Sequence, residues 1–270
     1  MHDPYIKRHM VKYAYEQIRS LVAFLEKMTG RKLDKYRLSE HLRYWMESLR
    51  LFLKTIELRK AHPCPLPTQD YGAIAFPNMT IRATKECVDF YQKAYDEIKY
   101  RVDHGISSVG EEKYRLMWYW LLPWYYLGLY DWLEEKFGAS TIATGYGGWE
   151  IPPSEDVIDY DFPLESIARK FYEGFWSHQF MRRSSAYWLR QAELAKQYDI
   201  DGAICMLTPS CRGTTDVYYG WSILRDKVGD LPLLAIEADM ADTRAYSDVQ
   251  VKQKLTAFIE TIDATRSRRK

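Results

Sequence analysis

The sequence predicts an α/β protein, with a parallel sheet of at least four strands, helices on both faces and a helical segment in front. Three observations predict it. Short apolar runs near residues 114–120, 140–144, 204–207 and 231–236 read as buried strands. Helical patterns separate these runs, which is the connection a parallel pair requires. The first hundred residues carry three stretches of helical spacing, divided by a proline-rich linker.

The clearest stretch is Tyr198 to Glu260. Ile204–Leu207 is an apolar run, followed by the polar bend Thr208-Pro209-Ser210-Cys211-Arg212-Gly213. A helical pattern leads to a second apolar run, Leu231–Ile236, and to an acidic bend. In open α/β sheets, ligands bind at the carboxyl ends of the strands, so Cys211 stands on a loop of the functional kind.

Taken in order, Val11, Ile18, Leu21, Val22, Leu25 and Met28 form the stripe of a first helix, stopped at Thr29-Gly30. Leu38, Leu42, Trp45, Leu49, Phe52 and Ile56 form a second, over about 39–60. The prolines of residues 61–67 make a linker. A third helix is predicted over about 80–101, with Cys87 as a small packing residue at the edge of its stripe. Pro123-Trp124 is expected to open a helix that runs to Phe137 and stops at Gly138. Gly145-Tyr146-Gly147-Gly148-Trp149 is a glycine-rich loop without a nucleotide-binding spacing. Residues 150–162 are an acidic loop, and helices follow from Pro163 and from Arg183. The expected division is a helical segment, 1–110, and an α/β domain, 111–270.

Composition narrows the function. Net charge is +1 with 28% charged residues, and the only basic block is the tail at 266–270, so nucleic-acid binding has little support. No apolar segment is long enough to cross a bilayer, and the N-terminus lacks the apolar core of a signal peptide, so a cytoplasmic location is expected. Four cysteines, with no CxxC pair, do not make a disulfide scaffold. Cys205 falls inside a strand and is expected in the core. Cys64 has only His62 beside it as a possible co-ligand. The 22 tyrosines and 9 tryptophans serve mostly for packing.

An ordered set of residues carries a resemblance. It runs Lys32-Leu33-Asp34, Tyr114-Arg115, Trp118, Pro123-Trp124, Pro163-Leu164-Glu165, Asp201-Gly202 and Thr208-Pro209-Ser210-Cys211-Arg212. It continues through Glu237, Asp239, Asp242, Arg244, Ser247 and Gln250 to Ala257-Phe258. In this the chain resembles the large subunits of the 2-hydroxyacyl-CoA dehydratase and benzoyl-CoA reductase family over nearly its whole length.

The resemblance implies flavodoxin-like domains and a [4Fe–4S] cluster held by three cysteines. Cys211 matches one of these. The other two belong to an N-terminal domain, and this chain is expected to begin after it; Cys64 and Cys87 do not match them. Also implied are a second dehydratase or reductase subunit, an ATP-dependent activator protein as electron donor, and an acyl-CoA substrate. The implied chemistry passes one electron to the thioester and proceeds through a ketyl radical, ending in dehydration or ring reduction.

Beside the resemblance, Arg212 and the following helix are expected to favour the Cys211 thiolate. Tyr146, Trp149 and Tyr218, with Arg212, are the residues expected to line an acyl or aromatic pocket. Arg182-Arg183 are a possible phosphate contact, and no acid or base is assigned. Glu237, Asp239, Asp242 and Arg244 are expected to cap the final helix and to pair with a neighbouring domain or subunit. A non-catalytic assembly subunit of the same fold, and an unrelated flavodoxin-like binding module, remain open as alternatives.

Overall fold

The computed structural model describes residues 8–66, 68–119, 122–123, 125–144, 158–173, 184–239 and 241–269. Its elements are α1 (Arg8–Thr29), α2 (Lys35–Glu57), α3 (Thr68–Ala75), α4 (Pro77–Thr80), α5 (Lys85–Asp103), β1 (Tyr114–Tyr119), α6 (Gly128–Phe137) and β2 (Ala139–Thr144). Then come α7 (Pro163–Glu173), α8 (Ser184–Gln197), β3 (Gly202–Leu207), α9 (Val217–Val228), β4 (Leu233–Glu237) and α10 (Asp248–Arg269). Contacts divide the chain into two compact units, 1–55 with 75–96 and 149–183, and 56–74 with 97–148 and 184–270.

The first unit is helical. Asp34 accepts the backbone N–H groups of Tyr36 and Arg37, at 2.9 and 3.1 Å, and so caps the start of α2. Ala14 of α1 and Ala168 of α7 are buried together, with Met10, Val11, Tyr15 and Ile18 packed on them. Phe52 meets Tyr91 at 5.3 Å between ring centroids. Cys87 is fully buried, and burial pushes its thiol pKa up, as expected of a packing residue. The short helix α4 belongs here, and the third predicted helix begins at Lys85 rather than near residue 80.

The second unit holds the sheet. All four strands are parallel, in the order β2-β1-β3-β4. This is the flavodoxin-like α/β arrangement that the sequence predicts. The alternation of side chains along a strand separates the two faces. Leu116 and Trp118 of β1, with Ile204 and Met206 of β3, join a core completed by Leu129 and Leu133 of α6 and Leu255, Phe258 and Ile262 of α10. On the other face Tyr119 meets Trp188 of α8 at 5.3 Å. Both central strands are buried on both sides, which is why they read as unbroken apolar runs.

The helix before β2 starts at Gly128, not at Pro123. Leu122 is buried in the core and Tyr125 reaches across to Asp239, so the chain crosses the end of the sheet before it coils. Its end is as predicted. Gly138 is left-handed, at φ 64°, and its N–H closes on Glu134 and Leu133. A Cβ there would collide with the Glu111 carbonyl oxygen, so the position demands glycine.

Arg115 locks the opposite end of the sheet. It is 4% exposed. Its guanidinium donates to the carbonyls of Tyr198, Ala61 and Arg59, at 2.9, 3.1 and 3.0 Å, and to the Glu112 carboxylate at 2.8 Å. The proline-bearing stretch is thus held against the sheet, and Cys64 is buried with it, its sulfur 3.3 Å from the Leu66 carbonyl.

Candidate functional site: the carboxyl ends of strands β1 and β3

In this strand order the chain reverses direction between β1 and β3. A crevice opens beyond the carboxyl ends of two neighbouring strands whose connections leave in opposite directions, and such folds bind ligands there. β1 ends at Tyr119 and β3 at Leu207. Cys211 follows β3 on this edge.

The loop that carries Cys211 is held by its own hydrogen bonds. The Cys211 N–H donates to Thr208 O at 3.0 Å, and the Thr214 N–H to Cys211 O at 3.2 Å. The buried Thr214 hydroxyl lies 3.1 Å from Thr208 O and 3.0 Å from Cys211 O. Arg212–Thr214 form a 3-10 turn, and α9 follows from Val217. Thr208 is 2% exposed, and its hydroxyl has no hydrogen-bond partner among the described residues.

The cysteines separate sharply. Cys64, Cys87 and Cys205 are each 0% exposed, while Cys211 is partly exposed. Cys205 lies in β3, on the Tyr119 face, and burial raises its thiol pKa far above the ordinary range. The sulfur expected at the strand ends is therefore there, and the sulfur expected in the core is in the core. Among the described residues no three of His, Cys, Asp and Glu converge to hold a metal ion. A partly exposed cysteine thiol is of the residue type that ligates iron–sulfur clusters, and the described residues bring no second such ligand to it.

The acidic bend after β4 is organised differently from the expectation. Asp239 is 9% exposed. One of its oxygens accepts the N–H groups of Ala241 and Asp242, at 2.9 and 3.0 Å, and the other accepts the Ser210 hydroxyl. These three bonds, the Ser210 hydroxyl first, hold the Asp239 carboxyl below the usual carboxylate range. Its backbone carbonyl takes the Tyr125 hydroxyl at 2.7 Å. Asp242 caps the 3-10 turn Thr243–Ala245 and pairs with Arg244 at 2.7 Å. Asp239 thus joins its own bend to two other loops, Asp242 caps the turn that follows, and α10 carries Asp248 in its first turn.

Aromatic residues gather near the strand ends. Tyr246 lies edge-on to Tyr125 at 5.3 Å and tilted against Tyr126 at 5.8 Å. Burial and the nearby Asp248 carboxylate push the Tyr246 hydroxyl pKa well up. Tyr218 stands on the first turn of α9, 65% exposed, 5.4 Å from Trp221. Tyr146, Trp149, the Arg182-Arg183 pair and the Arg212 side chain lie outside the described residues. Sequence reasoning did not single out Tyr125, Ser210 and Tyr246, whose contacts gather at these strand ends. All three fall within or beside the motifs that carry the resemblance, which was the one available signal.

Comparison with known proteins gives the family. Residues 1–262 match the family described as 2-hydroxyglutaryl-CoA dehydratase, D-component. The chain belongs to that family. It is 22% identical over 262 residues to the (R)-2-hydroxyisocaproyl-CoA dehydratase alpha subunit of Clostridioides difficile, covering 96% of this chain and 62% of that protein. It is 24% identical over 279 residues to a subunit of the benzoyl-CoA reductase of Thauera aromatica, covering 98% of this chain and 63% of that one. For the lactoyl-CoA dehydratase alpha subunit of Anaerotignum propionicum the figures are 24% over 271 residues, 97% and 61%. This family member thus spans about three fifths of the length of the relatives it matches. No helix of the described residues is long and apolar enough to cross a membrane.

Proposed function

We propose that this protein is a subunit, or the C-terminal part of one, of an iron–sulfur enzyme acting on acyl-CoA thioesters, of the 2-hydroxyacyl-CoA dehydratase or benzoyl-CoA reductase type. The observation that carries the reading is Cys211. It is partly exposed, on a hydrogen-bonded loop at the switch point of the sheet, while the other three cysteines are sealed. In this reading Cys211 gives one thiolate to a [4Fe–4S] cluster, and the remaining ligands come from protein outside the described residues.

When bound, the cluster supplies one-electron reduction of the thioester. The electron would come from an ATP-dependent activator; dehydration through a ketyl radical would return it after loss of hydroxide and a proton, whereas ring reduction would consume two electrons and two protons. This chain's own residues hold the sulfur in place. The Thr208 carbonyl, the Thr214 hydroxyl and Ser210 fix the loop. Tyr146, Trp149, Arg212 and Tyr218 are the proposed acyl-pocket residues, and the proposed location is the cytoplasm.

One test decides between this reading and a non-catalytic assembly subunit. The second reading draws on the lack of a three-ligand metal set among the described residues. The protein is co-purified without oxygen with its second subunit, as wild type and as Cys211→Ser, and iron, sulfide and the EPR spectrum are measured. About four irons in the wild type, and a loss of most of them in the variant, are expected. A stable complex without iron favours the assembly role and overturns the enzyme reading.

A further inference from the structure

Three strand-end loops meet at one residue. Asp239, after β4, receives the hydroxyl of Ser210 from the loop after β3 and, on its backbone carbonyl, the hydroxyl of Tyr125 from the loop after β1. The same carboxylate closes its own bend through Ala241 and Asp242. Ser210 is the residue next to Cys211. The bonds from Ser210, Ala241 and Asp242 are charge-assisted, since the carboxylate accepts all three, and such bonds are stronger than neutral ones.

We infer that Asp239 is a positioning residue: through Ser210 it holds the Cys211 loop in one place, and through Tyr125 it ties that place to the end of β1. The rim is then built before anything binds to it. This rests on the reading of Cys211 as the working sulfur, although the contacts themselves are independent of any metal. Without the carboxylate, the Ser210 hydroxyl and two backbone N–H groups lose their acceptor, and the bend and the Cys211 loop separate. With Ser210 truncated, Asp239 still closes its own bend, and only the bond between the two loops is lost. The two losses share one link, so their effects on Cys211 do not add.

The test is iodoacetamide labelling of the folded, iron-free protein, resolved for each cysteine by mass spectrometry. It uses wild type, Ser210→Ala, Ser210→Thr, Asp239→Ala and the Ser210→Ala/Asp239→Ala double variant. In the wild type Cys211 reacts alone. Ser210→Ala and Asp239→Ala are expected to speed Cys211 labelling about tenfold or more, the factor that the loss of one charge-assisted hydrogen bond gives to local opening. The double variant should match Asp239→Ala, and Ser210→Thr, which keeps the hydroxyl, should restore the wild-type rate.

General destabilisation would instead speed Cys64, Cys87 and Cys205 together with Cys211, and that result overturns the assignment. So does a Cys211 rate within about twofold of wild type in Ser210→Ala, the variant least able to unfold the protein. Because no iron is present, a failure here leaves the cluster proposal standing, and a failure of the iron analysis leaves this one standing.

Discussion

Gly220 of α9 lies flat against the indole of Trp188 of α8, so close that a Cβ on it would run into the ring. Trp188 is fully buried, and its indole N–H donates to Asp216, just before α9, at 3.1 Å. Two contacts on one side chain therefore set the height and the start of the helix that follows the Cys211 loop.

Gly220→Ala sets two effects against each other. Alanine gains about 1 kcal/mol of helix propensity over glycine. Against that, the methyl group has nowhere to go, because Trp188 is wedged against Tyr119 and Tyr187 at 5.3 and 5.2 Å. Overpacking costs about 1–3 kcal/mol, and the depth of this overlap puts it near about 3, so packing wins. A net loss of about 2 kcal/mol, seen as a fall in Tm of roughly 4–8 °C, is expected in thermal unfolding. A variant as stable as wild type would show that the helices can slide apart.

Arg115 is expected to resist even a conservative change. Its planar fork serves carbonyls of Tyr198, Ala61 and Arg59 together with Glu112, whose side chain is 7% exposed. Lysine keeps the charge but cannot reach this spread of acceptors. Arg115→Lys should cost about 3 kcal/mol, the usual loss when a buried pair and its hydrogen bonds are broken. Urea unfolding monitored by tryptophan fluorescence measures it. A midpoint unchanged from wild type would contradict the lock described above.

The depressed pKa of Asp239 gives a pH dependence of known sign. A carboxylate whose folded pKa lies below its unfolded value, near about 4, adds stability that is complete above that value. The contribution is lost as pH falls through the lower, folded pKa. Wild type should therefore lose its advantage over Asp239→Asn on acidification from about pH 5 to about pH 3, and hold it unchanged from about pH 6 to about pH 8. Urea midpoints of both proteins across that range check it. A gap that widens on acidification would mean that the carboxylate is not the favoured form in the folded protein.

The legibility of this chain differed by kind of feature. Strand and helix positions were readable because they follow local periodicity: the runs at 204–207 and 231–236 became β3 and β4, with boundaries shifted by two residues or fewer. The helix ending at Gly138 was readable at its stop, where a left-handed residue is required, and not at its start. There Leu122 and Tyr125 answer to partners far away in sequence, and Pro123 offered a local signal that those partners overrode.

By itself the sequence determined the alternation of strands and helices, the sealing of Cys205 inside a strand and the placing of Cys211 on the loop after it. Those follow from the spacing of apolar residues and from turn chemistry, which act over a few positions. Only the tertiary structure decided that Asp239 would hold Ser210, that Trp188 would lie on Gly220 and that Arg115 would gather the carbonyls of a distant linker. Each of these depends on which strands become neighbours. Strand order is set by the burial of whole faces against one another, which no short stretch of residues encodes.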